Sequence, residues 1–295
     1  MTTETAPDPA EGTFGHNPIG LTLGAVQDVL EDAYPLDWAE DWDRVGLVAG
    51  VRDEPVRRVL LTVDPTLAVV REAREIGADL IIAHHPLLLK PVSFLPAHTG
   101  KGAVLTDLIR SRIGLWCGHT NVDRSIRGTV GGWLRVLDLE DPQPLAASGA
   151  DSAREDLFGL GAVGALREPT TVRELAENIA ARVPATAQGI RFTGDGDRPV
   201  RRVAVCPGSG DSFLPDATAA GVDVYVTSDL RHHPASEHLE SAADETAVPA
   251  LIDVAHSASE SLWLPLAKEL LAERLPDLEV RISSVSTDPF TGRVG

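Results

Sequence analysis

The chain contains very little cysteine, only Cys117 and Cys206 in 295 residues. Two thiols exclude a disulfide framework and a cysteine zinc site. Both sit in apolar, strand-like runs, where a buried free thiol is the expected state. Positive charge is also scarce. There are 26 Lys and Arg against 44 Asp and Glu, a formal net charge of −18. That balance argues against nucleic acid as the main partner, because a strand of dense negative charge would be repelled. It argues equally against an anionic membrane surface. It does not bear on a local pocket for an anion. No apolar stretch approaches the roughly 20 residues that span a bilayer. The N-terminal stretch, Met1 to Gly15, lacks the basic start and apolar core of a signal peptide. It is polar, acidic and rich in Thr and Pro, and reads as a short disordered tail (residues 1–16) on a cytoplasmic protein.

Hydrophobic residues make up 43% of the chain, enough to bury the cores of one large or two ordinary domains. Leu21 to Tyr34 has helical apolar spacing and ends at Pro35, and Val45 to Gly50 reads as a short strand. Arg58 to Asp64 reads as a buried strand, Pro65 to Ile76 as a helix stopped by Gly77, and Asp79 to Ala83 as a second buried strand. Gly102 to Arg112 reads as a helix and Ile113 to Cys117 as a third strand. This alternation predicts a parallel sheet covered by helices on both faces, with ligands beyond the carboxyl ends of the strands. Asp141 to Glu155, rich in Ala, Ser, Asp and Pro, reads as a connector to a second α/β unit. Within that unit, strands are expected at Val200–Cys206, Asp223–Thr227 and Ala250–Ala255. Helices are expected at Thr171–Arg182, Phe213–Ala220 and Pro234–Ser241. A weak internal echo links Gly77-Ala78-Asp79 leading to His84-His85-Pro86 with Gly221-Val222-Asp223 leading to His232-His233-Pro234.

Three segments carrying metal-binding residue types lie at strand exits. They hold His84 and His85, then His119 and Asp123, then His256 and Glu260. A helix starting near His256 places His256 and Glu260 one turn apart on one face. Each residue also has an ordinary reading: a hydrogen-bonded structural histidine, a helix N-cap at Asp123, a solvated helix residue at Glu260. Imidazole plus carboxylate without thiolate suits Zn, Fe, Mn, Co or Ni. One carboxylate can bridge two ions roughly 3.5–4 Å apart, a spacing suited to hydrolysis. Pro207-Gly208-Ser209-Gly210-Asp211-Ser212, between a strand and a helix, reads either as a phosphate-holding loop or as a tight turn.

Six blocks resemble, in order, those of the Nif-three-like dinuclear metal centre family, whose members are labelled GTP cyclohydrolase 1 type 2 homologues. They are the stretches Glu40–Leu47, Gly77–Leu87, His119–Asp123, Val203–Gly210, Asp223–Leu230 and Ile252–Glu260. The resemblance implies two similar three-layer α/β domains with largely parallel sheets. The first would be residues 17–145 plus 251–295, carrying the metal, and the second 146–250. It implies two divalent ions per subunit. His85 and Asp123 would hold one ion, His84 and His256 the other, and Glu260 would bridge them. His119 would orient a ligand or bind substrate, with His233 near the cavity. The resemblance further implies a homo-oligomer, a toroidal hexamer, in the compact form without the domain some members carry inserted. The family usually has Asn at Arg44 and Gly at Ser228 and Ala255, none of them an implied ligand. Two functions fit: a metal-dependent hydrolase in which Glu260 and His119 serve catalysis on a nucleotide or other phosphate-bearing small molecule, or a non-catalytic metal-binding scaffold or regulatory protein.

Overall fold

The buried strands are short because each must cross only one layer, and their side chains alternate between two faces. In the computed structural model, which describes residues 20–147, 154–244 and 247–294, this alternation divides the first sheet's core in two. Helices α1 (Leu23–Ala33), α2 (Leu67–Ile76) and α3 (Gly100–Ser111) belong to this half, with strands β1 (Gly46–Ala49), β2 (Arg58–Thr62), β3 (Leu80–Ala83) and β4 (Gly114–Cys117). Val59, Leu61, Leu80 and Ile82 pack against α1 and a C-terminal helix, while Leu60, Ile81 and Cys117 pack against α2 and α3. Thr22 and Thr66 cap α1 and α2 with their hydroxyls, and Gly77, at φ +66°, closes α2.

The chain continues through α4 (Thr120–Asp123), α5 (Thr129–Leu137), β5 (Leu139–Gln143), β6 (Ala162–Thr171), α6 (Val172–Ala180), β7 (Arg191–Phe192) and β8 (Pro199–Ser209). Then come α7 (Leu214–Ala219), β9 (Val224–Ser228), α8 (His232–Leu239), β10 (Ala250–Asp253), α9 (His256–Glu260), α10 (Trp263–Arg274) and β11 (Glu279–Ile282). The first sheet has the order β1-β4-β3-β2-β11, and the second β5-β6-β8-β9-β10-β7. Pairings are parallel at the centre of both sheets. The antiparallel pairings involve β1 in the first sheet and β5, β6 and β7 in the second. The second sheet is also layered: α5 and α6 cover one face with Val130, Trp133, Leu175 and Ile179, and α7 covers the other with Leu214 and Ala217.

The expected division into 17–145 plus 251–295 against 146–250 cuts across this second sheet. β5 and β10 both pair within it, because hydrogen bonding to β6 and β9 fixes their place. The connector expected from Asp141 begins inside β5, and residues 148–153 lie outside the described residues, as does the whole tail 1–16.

The internal echo is structural. Asp79 Oδ2 accepts from the amides of Arg57 and Arg58, and Asp223 Oδ2 accepts from those of Arg201 and Arg202, in each case across the same separation of 22 and 21 residues. The Asp79 and Asp223 carbonyls then accept from Gly114 N and Ala250 N, both at 2.9 Å. Gly77 and Gly221 both adopt left-handed backbone just ahead of these aspartates. Each half therefore repeats a strand–helix–strand unit followed by a third parallel strand.

Candidate metal centre

After that third strand, each half places a short helix carrying a histidine and an acid four residues apart. In the first half these are His119 and Asp123 around α4, and in the second His256 and Glu260 in α9. The first half adds His84 and His85 from the end of β3. Ring centroids of His84 and His85, and of His85 and His256, lie 5.1 Å apart, and His119 stacks edge-on to His84 at 5.3 Å.

Every one of these imidazoles has its Nδ1 held from behind. His84 Nδ1 meets the Gly118 carbonyl at 2.9 Å, His85 Nδ1 meets Asp64 Oδ1 at 2.7 Å, His119 Nδ1 meets Asp43 Oδ1 at 2.9 Å, and His256 Nδ1 meets Asp229 Oδ2 at 2.7 Å. With Nδ1 occupied, Nε2 is the nitrogen free to face the centre. Glu260, buried, lies between them. Its Oε1 is 2.9 Å from His256 Nε2 and 3.4 Å from His84 Nε2, and its Oε2 is 2.8 Å from His85 Nε2. Asp123 Oδ1 approaches His84 Nε2 at 3.6 Å and accepts from Thr129 Oγ1 at 2.6 Å.

His84 Nε2, His256 Nε2 and Glu260 Oε2 are buried and have no aligned hydrogen bond; their close polar neighbours are the other members of this cluster. Imidazole nitrogens gathered around a buried carboxylate form a donor set that a divalent cation satisfies, and their nitrogen and oxygen chemistry fits a borderline metal. Two overlapping trios have ligand atoms close enough to share an ion: His84, His85 and His119, and His85, His256 and Glu260.

The electrostatics follow from the same geometry. Burial would raise the Glu260 carboxyl, but the neighbouring His84 and His85 charges hold it well below the usual carboxylate range. Burial would lower His85 and His256, but Glu260 with Asp64, and Asp229 with Glu260, push them up to about 11 and about 10. His119 is raised despite burial by its hydrogen bond to Asp43.

Gly208 explains how the second half reaches this centre. Its φ is +66°, and a Cβ there would lie 2.3 Å from Glu260 Oε1. Only glycine allows the strand end to pass so close. Gly208 still belongs to β8, which pairs irregularly with β9 as far as Ser209↔Ser228; the Gly208 carbonyl accepts from Thr227 Oγ1 and the Gly210 carbonyl from Tyr225 Oη. The phosphate-loop reading gains nothing from it, since the following α7 spans only six residues.

The structure thus brings together His84, His85, His119, Asp123, His256 and Glu260. It does not bring in His232 or His233, which sit exposed in the first turn of α8. Asp43, Asp64 and Asp229 were missed as functional residues. Asp43 and Asp229 lie within, and Asp64 at the end of, segments read for other reasons, and none has a periodic signature. Asp229 also carries a left-handed φ of 55°, unusual outside glycine. A cavity of about 450 Å³ opens onto the centre, walled by Trp42, Leu89, Leu160 and Phe213 with His119 and Glu260 at its floor.

A family model described as Duf34/NIF3 (NGG1p interacting factor 3) matches residues 21–289. The chain belongs to this family. A Streptomyces coelicolor relative, named GTP cyclohydrolase 1 type 2 homolog, is 44% identical over 276 residues, covering 92% of this chain and 94% of the relative. A Mycobacterium tuberculosis relative of the same name is 32% identical over 375 residues, covering 92% of this chain and 97% of the relative. That alignment is longer than this chain, so the mycobacterial protein carries inserted sequence absent here. Among solved structures, a Bacillus cereus protein related to NIF3 superposes with a TM-score of 0.82 at 23% identity, covering 92% of this chain and 98% of that one. Staphylococcus aureus protein SA1388 does so with a TM-score of 0.79 at 28% identity, covering 92% and 99%.

Proposed function

We propose that the centre holds two divalent metal ions and that the protein is a metal-dependent hydrolase acting on a small molecule from the cavity side. The observation that carries this is the crowding of the His84, His85 and His256 Nε2 atoms around the buried Glu260 carboxylate at 2.8–3.4 Å, with no aligned hydrogen bond at His84 Nε2, His256 Nε2 or Glu260 Oε2. In this reading Glu260 would bridge the ions, since His84 and His256 face its Oε1 and His85 faces its Oε2; Asp123, which approaches His84 Nε2 at 3.6 Å, would complete the set with His85 on the second ion. Zn, Fe, Mn, Co and Ni all suit these ligands. Bound there, such ions supply Lewis acidity toward a carbonyl or phosphoryl oxygen and lower the pKa of water.

The chain's own residues do the rest. Asp64, Asp229 and Asp43 fix the tautomer and orientation of His85, His256 and His119. The anchored ring of His119 projects at the cavity floor, where it can move a proton to or from substrate. Trp42 and Phe213 give the cavity apolar wall surface. The names of the curated relatives support a nucleotide or other phosphate-bearing substrate, and a homo-hexamer fits the family resemblance. The test is turnover by chelator-free protein loaded with each metal in turn. GTP is assayed for ring-opened product, and a panel of nucleotides and phosphoesters for hydrolysis. Loss of turnover in Glu260→Gln and His119→Ala is expected. No turnover of any substrate by protein with full metal occupancy favours a non-catalytic metal-binding scaffold instead.

A further inference from the structure

The centre has a second side. A pocket of about 230 Å³ lies behind His85 and His256, bordered by Asp64, Gln188, Asp229, Thr287 and Phe290. Thr287 and Phe290 belong to the segment that follows β11. Ser283 N extends the ladder to the Leu61 carbonyl at 2.8 Å. Ser284 then donates to Glu72 Oε1 from its amide at 2.9 Å and its hydroxyl at 2.7 Å, and Ser283 Oγ donates to Glu72 Oε2. Held by these bonds, the segment delivers Thr287 Oγ1 to Asp64 Oδ2 at 2.5 Å. The other oxygen, Oδ1, is the one that holds His85 Nδ1.

The same device recurs around the centre. Thr120 Oγ1 donates to Asp43 Oδ2 while Asp43 Oδ1 holds His119, and Thr129 Oγ1 donates to Asp123 Oδ1. In each case a threonine hydroxyl fixes the rotation of a carboxylate that serves the centre. Asp64 differs in that its threonine comes from a segment 223 residues away in sequence.

We propose that Thr287 is a positioning residue for the metal centre, acting through Asp64 to hold the His85 ring and thereby one ion of the pair. This rests on the dinuclear reading above. A carboxylate free to rotate gives up its hydrogen bond to Nδ1, and loss of such an outer partner weakens a metal site roughly 10–100-fold. The effect should fall on one ion, since the Gly118 carbonyl and Asp229 hold His84 and His256 independently of Thr287.

The test titrates metal-stripped full-length protein with Co²⁺ alone, reading visible d–d absorption and ions bound per chain, with far-ultraviolet circular dichroism to confirm folding. Wild type should bind two ions. Thr287→Val should keep one affinity and weaken the other by roughly 10–100-fold, and Thr287→Ser should restore it. Asp64→Asn with Thr287→Val should be no weaker than Asp64→Asn alone. Unchanged affinities in Thr287→Val, or equal weakening of both ions, would overturn the positioning role while leaving the dinuclear reading intact. Failure of wild type to bind Co²⁺ would overturn both.

Discussion

Gly208→Ala tests how closely the second half must approach Glu260. The added Cβ would lie 2.3 Å from Glu260 Oε1, where ordinary contact begins at 3.4 Å, so the carboxylate must retreat by about 1 Å. Two costs follow. Alanine at φ +66° costs about 1 kcal/mol in backbone strain. Overpacking against a buried side chain adds about 1–3 kcal/mol. Metal ligation tolerates only about ±0.2 Å in ligand distance, so ion content should fall below that of wild type. Gly221→Ala is the control, because Gly221 has φ +61° and nothing within 4 Å of the added Cβ. It should lose only the strain of about 1 kcal/mol and keep its metal. The assay is urea unfolding of metal-free protein with elemental analysis of chelator-free protein. If Gly208→Ala is as stable as Gly221→Ala and binds as much metal as wild type, the reasoning about this approach is wrong.

Four further outcomes are expected. His85 and His256 are raised from 6.5 to about 11 and about 10, so in metal-free protein their contribution to stability is complete below pH 6.5 and is lost as pH rises through 10 and 11. Both carry protons at pH 7, so metal binding should release protons and tighten with rising pH; calorimetry in buffers of different ionisation enthalpy should show this, and buffer-independent heats would contradict it. Ser259→Ala should cost about 1–3 kcal/mol in urea unfolding by stranding the buried Trp133 indole N–H that donates to Ser259 Oγ at 3.0 Å, and an unchanged midpoint would contradict it. His119→Ala should keep both ions while turnover falls about 100-fold or more, and loss of an ion would make His119 a ligand instead.

The first sheet was legible because β2, β3 and β4 are continuous apolar runs separated by capped, periodic helices, a pattern with few alternatives. The second sheet was less so. β6 runs through Arg167-Glu168-Pro169 before ending at Thr171, and β5 reads Leu-Glu-Asp-Pro-Gln, so neither has the apolar alternation that marks a strand. Their pairing is set by neighbours rather than by their own propensity. α5 contains Gly131 and Gly132, which weaken any helical signal. At the centre, the histidines and Glu260 were legible because they cluster in short motifs at strand exits. Asp43, Asp64 and Asp229 were not, because a carboxylate becomes an imidazole partner only through tertiary contact. The echo between His84-His85 and His232-His233 was true of the fold and misleading for the site. The extra residues before the second pair carry it past the strand end into exposed α8.

The central claim is that Glu260 bridges two ions, and anomalous diffraction from crystals of protein purified without chelators tests it most directly. The account predicts two peaks about 3.5–4 Å apart. One should lie against Glu260 Oε1 with His84 and His256, the other against Oε2 with His85 and Asp123. Absence of peaks at Glu260, or a single ion there at full occupancy, would contradict it.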